Sequence, residues 1–204
     1  MKRRLSKFAD RVVGQSMFQI LAKAQELERQ GKDMIHFEIG DTYLEMPQPV
    51  KESAIEALSA GRTHYGDSQG EHAFLLAIQK AVKEDFGFTP DLPQITVASG
   101  ANPFIYYVLA VLVNPGEEVI LSDPSFVTYN AVLSMLEIKG TRVPVRHHDN
   151  FRFDPAEIEK CITPNTRVIV LNSPCNPTGA VASQSDVEAI FALAQKHDLY
   201  ILSD

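Results

Sequence analysis

The 204-residue chain is 45% hydrophobic and 22% charged, the balance of a globular protein with one sizeable core. Its net charge of −7 argues against a nucleic-acid-binding surface. The longest apolar run, Phe104 to Val113, is about half of a membrane span.

A basic cluster, Lys2, Arg3, Arg4, Lys7 and Arg11, opens the chain. No apolar core follows it, so no secretion signal is expected. Met17, Phe18, Ile20, Leu21, Ala24 and Leu27 recur at helical period and predict a helix over 16–30, closed by Gly31. A short strand is predicted at Met34–Ile39, followed by a loop with Gly40, Asp41, Pro47 and Pro49. Helices over 50–60 and 71–86 bracket Gly61–Gly70. From residue 95 the pattern alternates. Strands are predicted at Ile95–Ala98, Glu118–Leu121, Thr141–Val145, Val168–Leu171 and Leu199–Leu202, with helices over 102–113, 126–137, 155–161 and 183–197. This rhythm implies βαβ units and an α/β fold with a mostly parallel sheet. The near-continuous apolar runs V-I-V-L and Y-I-L fit strands buried on both faces. A domain boundary is placed near residue 50, which leaves 1–49 as an N-terminal segment and 50–204 as the main domain.

Cys161 and Cys175 are the only cysteines, far apart and without metal-ligand spacing. Neither a disulfide framework nor a metal site is expected, and a reducing compartment, the cytoplasm, is the expected location. Cys175 has no histidine near it in sequence, and His147 and His148 sit in a polar turn, so no nucleophile is assigned.

Residues 172–179 read N-S-P-C-N-P-T-G and follow the apolar strand R-V-I-V-L. A buried strand that runs into a stiff polar loop is where an α/β protein places a ligand. Pro174 and Pro177 fix two backbone angles around Asn176, and Gly179 permits a turn that a side chain would block. Upstream, Ser99-Gly100-Ala101-Asn102 opens a predicted helix. Free backbone N–H groups and the positive end of the macrodipole make that turn a candidate phosphate site. Pro103 suits the helix's first turn.

The 172–179 string resembles the N-P-x-G signature of fold-type I pyridoxal-phosphate enzymes, the aspartate-aminotransferase-like family. The resemblance implies that Asn176 hydrogen-bonds the cofactor's ring hydroxyl and lies beside the substrate. Further positions line up with the family in the same order. Gly40, in H-F-E-I-G-D, is similar to the glycine whose backbone meets the substrate carboxylate. Tyr65, in T-H-Y-G-D-S-Q-G, resembles the tyrosine that reaches the phosphate of a neighbouring subunit, which implies a homodimer. Gly100, Ala101 and Asn102 match the phosphate turn, although Pro103 departs from the small or polar residue expected there. Phe126, in D-P-S-F-V-T-Y, is similar to the aromatic residue that stacks on the pyridine ring, and Asp204, in Y-I-L-S-D, to the aspartate that keeps the ring nitrogen protonated. The chain is thereby identified as the N-terminal part of a class I/II aminotransferase. The implied fold is a three-layer sandwich around a mostly parallel sheet, incomplete in this chain, with 1–49 contributing to a small domain.

The resemblance also implies a Schiff-base lysine after the aspartate, in an S-x-x-K context that these residues do not contain. Lys80, Lys83 and Lys196 fall on predicted helices and Lys139 before a turn, so no catalytic residue is assigned. The expected activity of the whole protein is transfer of an amino group between an amino acid and a 2-keto acid, with pyridoxal 5'-phosphate as cofactor. This chain alone is expected to be inactive and poorly soluble without a partner. A carbon–sulfur lyase or a cyclopropane-forming synthase would share every visible residue. A cofactor-sensing transcription factor would need a winged helix ahead of the first helix, where only about 15 residues stand. A Rossmann nucleotide site would need G-x-G-x-x-G where the chain has S-G-A-N-P.

Overall fold

Four strands form an entirely parallel sheet: β1 Glu118–Asp123, β2 Lys139–Pro144, β3 Thr166–Leu171 and β4 Tyr200–Ser203. Their order across the sheet is β2-β1-β3-β4. The computed structural model describes residues 4–12, 14 and 16–204, so Lys2 and Arg3 of the basic cluster lie outside the described residues. The α/β class implied by the sequence is the observed one.

The central strands bury both faces, and their side chains sort by the two-residue period of a strand. Val119, Leu121, Val168 and Val170 join one apolar cluster with Ile105 and Leu109 of α5 (Asn102–Leu112) and with Tyr129, Val132 and Leu133 of α6 (Val127–Leu136). Ile120, Ile169, Leu171 and Val143 join a second cluster with Ile158 of α7 (Pro155–Cys161) and Ile190 of α8 (Gln184–His197). Helices therefore cover the sheet on both faces, giving three layers. Local chemistry starts and stops them. Asp154 caps α7 by accepting from Ala156 N at 3.0 Å, with Pro155 in the first turn. Ser183 caps α8 by accepting from Asp186 N at 3.1 Å.

From β1 the chain builds outward to β2 on one side, then crosses back to add β3 and β4 on the other. The winding direction reverses between β1 and β3. In open parallel sheets a ligand crevice forms outside the carboxyl ends of the strands at that reversal.

The fold divides into two units, residues 1–19 with 102–204, and residues 20–101. The second unit holds most of α2 (Ser16–Arg29), then α3 (Gln48–Ser59), α4 (His72–Phe86) and a single 3-10 turn at Leu92–Gln94. Two predicted strands, Met34–Ile39 and Ile95–Ala98, are not strands here. A strand exists only through a neighbour, and loops hold both segments instead. Val97 N donates to Gln69 O at 2.9 Å, while Gln69 Nε2 donates to Leu92 O at 2.8 Å and Ile95 O at 2.6 Å. In the first segment His36 bridges Glu28 at 2.8 Å and Glu38 at 2.5 Å. Among the described residues no helix is long and apolar enough to cross a membrane.

Candidate cofactor site

Residues that follow β1, β3 and β4 meet at the carboxyl end of the sheet, and one buried phenol connects them. Phe126 sits at the N-cap of α6, half-buried against the α5–α6 cluster. Its ring meets Tyr129 edge-on at 5.8 Å and 86°. Three residues apart, the two share one face of the helix start. Tyr129 is only 1% exposed. Its hydroxyl donates to Asp204 Oδ2 and accepts from Asn172 Nδ2 at 2.8 Å. Burial first, and then the hydrogen bond to the Asp204 carboxylate, push the Tyr129 phenol well above the ordinary tyrosine range. It therefore stays protonated and acts as the donor to Asp204.

Asn172 is the first residue after β3. Its Nδ2 also lies 3.4 Å from Asp204 Oδ2, and its Oδ1 accepts from Asn176 N at 3.1 Å. The backbone reinforces the pairing: Asp204 N donates to Leu171 O and Ser173 N to Asp204 O, both at 3.1 Å. The loop then closes on itself. Gly179 N donates to Cys175 O at 2.7 Å and Cys175 N to Ala180 O at 2.8 Å. Ala182 N donates to Ser173 Oγ at 2.9 Å, which ties the end of the loop to its start. The far end is pinned at α8, where Arg152 grips Asp186 through Nε at 3.0 Å and Nη2 at 2.5 Å. This bidentate ion pair holds the Asp186 carboxyl below the usual aspartate range, with burial opposing it and Ser183 assisting.

Of the sequence-predicted positions, Asn102, Phe126, Asn176 and Asp204 lie in the sheet unit. Asn102 opens α5, and its Oδ1 lies 3.5 Å from Thr128 Oγ1 in the first turn of α6. Gly40, Tyr65, Gly100 and Ala101 belong to the other unit. Gly40 is a loop residue and Tyr65 is fully exposed. Gly100 has φ +85° and Gly179 φ +72°, while a Cβ at either would meet nothing within 4 Å. The backbone angle, not crowding, is what calls for glycine at both. Cys161 and Cys175 are free thiols.

Tyr129 and Asn172 are site residues that sequence reasoning missed. A signal existed for each: Tyr129 stands one helical turn after Phe126, and Asn172 is the first polar residue after a buried strand, four before Asn176.

The donors and acceptors at this edge suit a flat, charged heteroaromatic ring. The Asp204 carboxylate uses Oδ2 for the protein, and its Oδ1 makes no hydrogen bond among the described residues. The Asn176 side-chain amide is likewise uncommitted there, because only its backbone N–H is engaged. A carboxylate for a ring N–H, an amide for a ring hydroxyl and an aromatic face at one strand edge match the donor set of pyridoxal phosphate.

An all-parallel sheet wound in both directions, with a polar constellation at its carboxyl edge, defines a three-layer α/β protein with a candidate ligand site there. Comparison with known proteins narrows this. Residues 32–204 match the model of the family described as aminotransferase class I and II, and the chain belongs to that family. It is 36% identical over 203 residues to an arginine–pyruvate transaminase of Pseudomonas aeruginosa, an alignment covering 98% of this chain and 52% of that protein. An aspartate aminotransferase of Pyrococcus abyssi is 37% identical over 174 residues, covering 85% and 45% of the respective chains. Among solved structures, aspartate aminotransferase from Thermus thermophilus with maleate superposes with a TM-score of 0.95 at 31% identity, covering 99% of this chain and 53% of that one. The chain thus spans about half the length of the relatives it matches. Enzymes of this family depend on pyridoxal phosphate.

Proposed function

We propose that the protein binds pyridoxal 5'-phosphate at the carboxyl edge of the sheet and belongs to an aminotransferase that moves an amino group between an amino acid and a 2-keto acid. The observation that carries this reading is the Asp204 carboxylate held by Tyr129 and Asn172 beside the Asn176 loop, in a chain of this family. The relatives' names range from arginine–pyruvate to aspartate, so the reading stops at the substrate class.

Bound pyridoxal phosphate would supply an electron sink for the charge left when a bond at a substrate's α-carbon breaks. Asp204 would hold a proton at the ring nitrogen through its uncommitted oxygen. Asn176 would donate to the ring hydroxyl and border the substrate. The flat face of Phe126 would fix the ring plane, a stacking contact worth about 1 kcal/mol. Backbone N–H groups of Gly100, Ala101 and Asn102 at the start of α5 would hold the phosphate. Tyr65 would reach the phosphate of a second copy in a homodimer, and the Gly40 backbone would meet the substrate carboxylate. In the sheet unit Lys139, Lys160 and Lys196 are paired with Glu118, Glu157 and Glu159, each at 2.6 Å. The family resemblance assigns the proton-shuttling lysine to a position after the aspartate, in a part of the family's length that this chain does not span. In this reading residues 1–49 contribute to a small domain and 50–204 to the cofactor domain, and the protein works in the cytoplasm.

The test uses the protein as its gene encodes it, loaded with pyridoxal phosphate. Asp204→Ala should lower the transamination rate by about 10²–10³-fold while costing far less in cofactor retention. Asn176→Ala should shift the cofactor's absorbance and weaken turnover. A near-normal rate in the first variant, or an unchanged spectrum and rate in the second, would remove that residue from the site.

A further inference from the structure

We propose that Asn172 is a positioning residue that, with Tyr129, joins the Asn176 loop and the Asp204 carboxylate into one unit of fixed spacing. The inference rests on the pyridoxal-phosphate reading above, because it concerns how that ring's two polar contacts are kept in register.

The direction of each hydrogen bond follows from chemistry. Asp204 as a carboxylate only accepts, so the single proton of the Tyr129 hydroxyl points at Oδ2. That hydroxyl must then accept from its other neighbour, which fixes the Asn172 amide with Nδ2 toward Tyr129 and Oδ1 toward Asn176 N. No other orientation of this amide satisfies both neighbours. Asn172 is half-buried, and Tyr129 is anchored in the α5–α6 cluster with Phe126 against its edge. One helix-anchored phenol and one amide thus set the position of the Asn176 loop after β3 relative to the Asp204 carboxylate after β4. Asn176 and Asp204 are themselves exposed, so neither is held by packing. A ring bound by two groups that follow different strands loses much of its benefit if they drift by an ångström, and Asn172 is the side chain that prevents the drift.

The test measures the affinity of the protein for three ligands: pyridoxal phosphate, its analogue lacking the ring hydroxyl, and its analogue with carbon in place of the ring nitrogen. The unaltered protein should prefer pyridoxal phosphate over both. In Asn172→Ala each preference should shrink about fivefold, the worth of one hydrogen bond at each end. Tyr129→Phe keeps the ring packing and removes one hydroxyl, so it should narrow only the preference set by the ring nitrogen. A purely structural role would weaken all three ligands equally and leave both ratios unchanged, which would overturn the proposal. So would a change in only one ratio in Asn172→Ala. Amide exchange at Asn176 gives a readout without ligand: it should quicken in Asn172→Ala and stay unchanged in Tyr129→Phe. If the unaltered protein binds none of the three ligands, the cofactor reading is what fails. Faster exchange in Asn172→Ala would then still uphold the tether, and unchanged exchange would overturn it.

Discussion

The sheet unit and the 20–101 unit belong to one family fold, yet their apolar side chains meet different fates. In the sheet unit every apolar residue of β1 and β3 lies under a helix. In the 20–101 unit the buried apolar residues are Ala24, Leu75 and Ile95, while Phe37 is 90% and Tyr43 94% exposed, and α3 buries nothing. Strands of a parallel sheet recruit their own cover, because each crossover helix returns across the sheet. Helices joined by loops need no such return, so an amphipathic pattern there does not guarantee a buried face. Asn176 and Phe126 accordingly follow the well-packed strands β3 and β1, while Asp204 follows the thinly covered edge strand β4. The 20–101 unit should be the first to open in native-state exchange.

The largest effect should come from truncating the packed side chains. Ile190 of α8 is wholly buried against Ile120 and Ile169. Ile190→Ala should cost about 2–5 kcal/mol, from the lost burial and the cavity left behind. Leu58→Ala on α3 removes a side chain that is 65% exposed and should stay within about 0.5 kcal/mol. Urea denaturation of the two variants measures both. Similar costs would mean that α3 is buried in the working protein, and the contrast between the units would not survive.

An effect of intermediate size concerns the base of the sheet. The Glu118 side chain is buried at the start of β1, bonded by Lys139 Nζ at 2.6 Å and Thr163 Oγ1 at 2.8 Å. Those two contacts, Lys139 first, hold its carboxyl below the ordinary glutamate value of 4.5. Glu118→Ala should cost about 0.5–1.5 kcal/mol by removing the hydrogen bonds that Lys139 and Thr163, both solvent-exposed, make to a buried carboxylate. Its folded value is depressed, so the stability it adds is full above pH 4.5 and is lost as pH falls through the folded value. Asp186 behaves the same way through Arg152, near its ordinary value of 3.8. Acid should therefore loosen the sheet unit at both ends of β3. Acid unfolding of Glu118→Gln measures this, and a midpoint equal to that of the unaltered protein would show that the carboxylate contributes nothing.

The same contrast explains what could be read from sequence. All four strands of the sheet were legible to within about two residues, V-I-V-L as a strand buried on both faces. Y-I-L, expected to be buried likewise, forms the edge strand β4, where Tyr200 is 57% exposed because no strand lies beyond it among the described residues. Met34–Ile39 and Ile95–Ala98 carried an equally apolar pattern but lacked a neighbouring strand, and a neighbour is a non-local fact. At the site, Asn176 and Asp204 were legible from the strings around them. Tyr129 and Asn172 were not, since a helical tyrosine in an apolar stretch reads as core and an asparagine opening a proline-rich loop as turn. Only the meeting of α6, the loop after β3 and the end of β4 gives those two residues their role.

The smallest expected effect lies in the 20–101 unit and would sharpen the contrast from its weaker side. His36 is held between Glu28 of α2 and Glu38, and these hydrogen bonds, Glu28 first, raise its value from 6.5 to about 9. A raised histidine value means that the charged form stabilises the fold. That contribution is complete below pH 6.5 and disappears as pH rises through about 9. The cluster is at the surface, so salt should screen it. An NMR titration should place the His36 ring near pH 9 at low salt and move it down as salt is added. Amide protection over 34–39, taken relative to the base-catalysed intrinsic rate at each pH, should fall across the same interval while protection in β1 and β3 does not change. A ring titrating at its ordinary value would show that the Glu28–His36–Glu38 bridge does not persist in solution. Protection in β1 and β3 falling in step with that of 34–39 would show that the two units open together, so that the covered sheet and the uncovered helices share one stability.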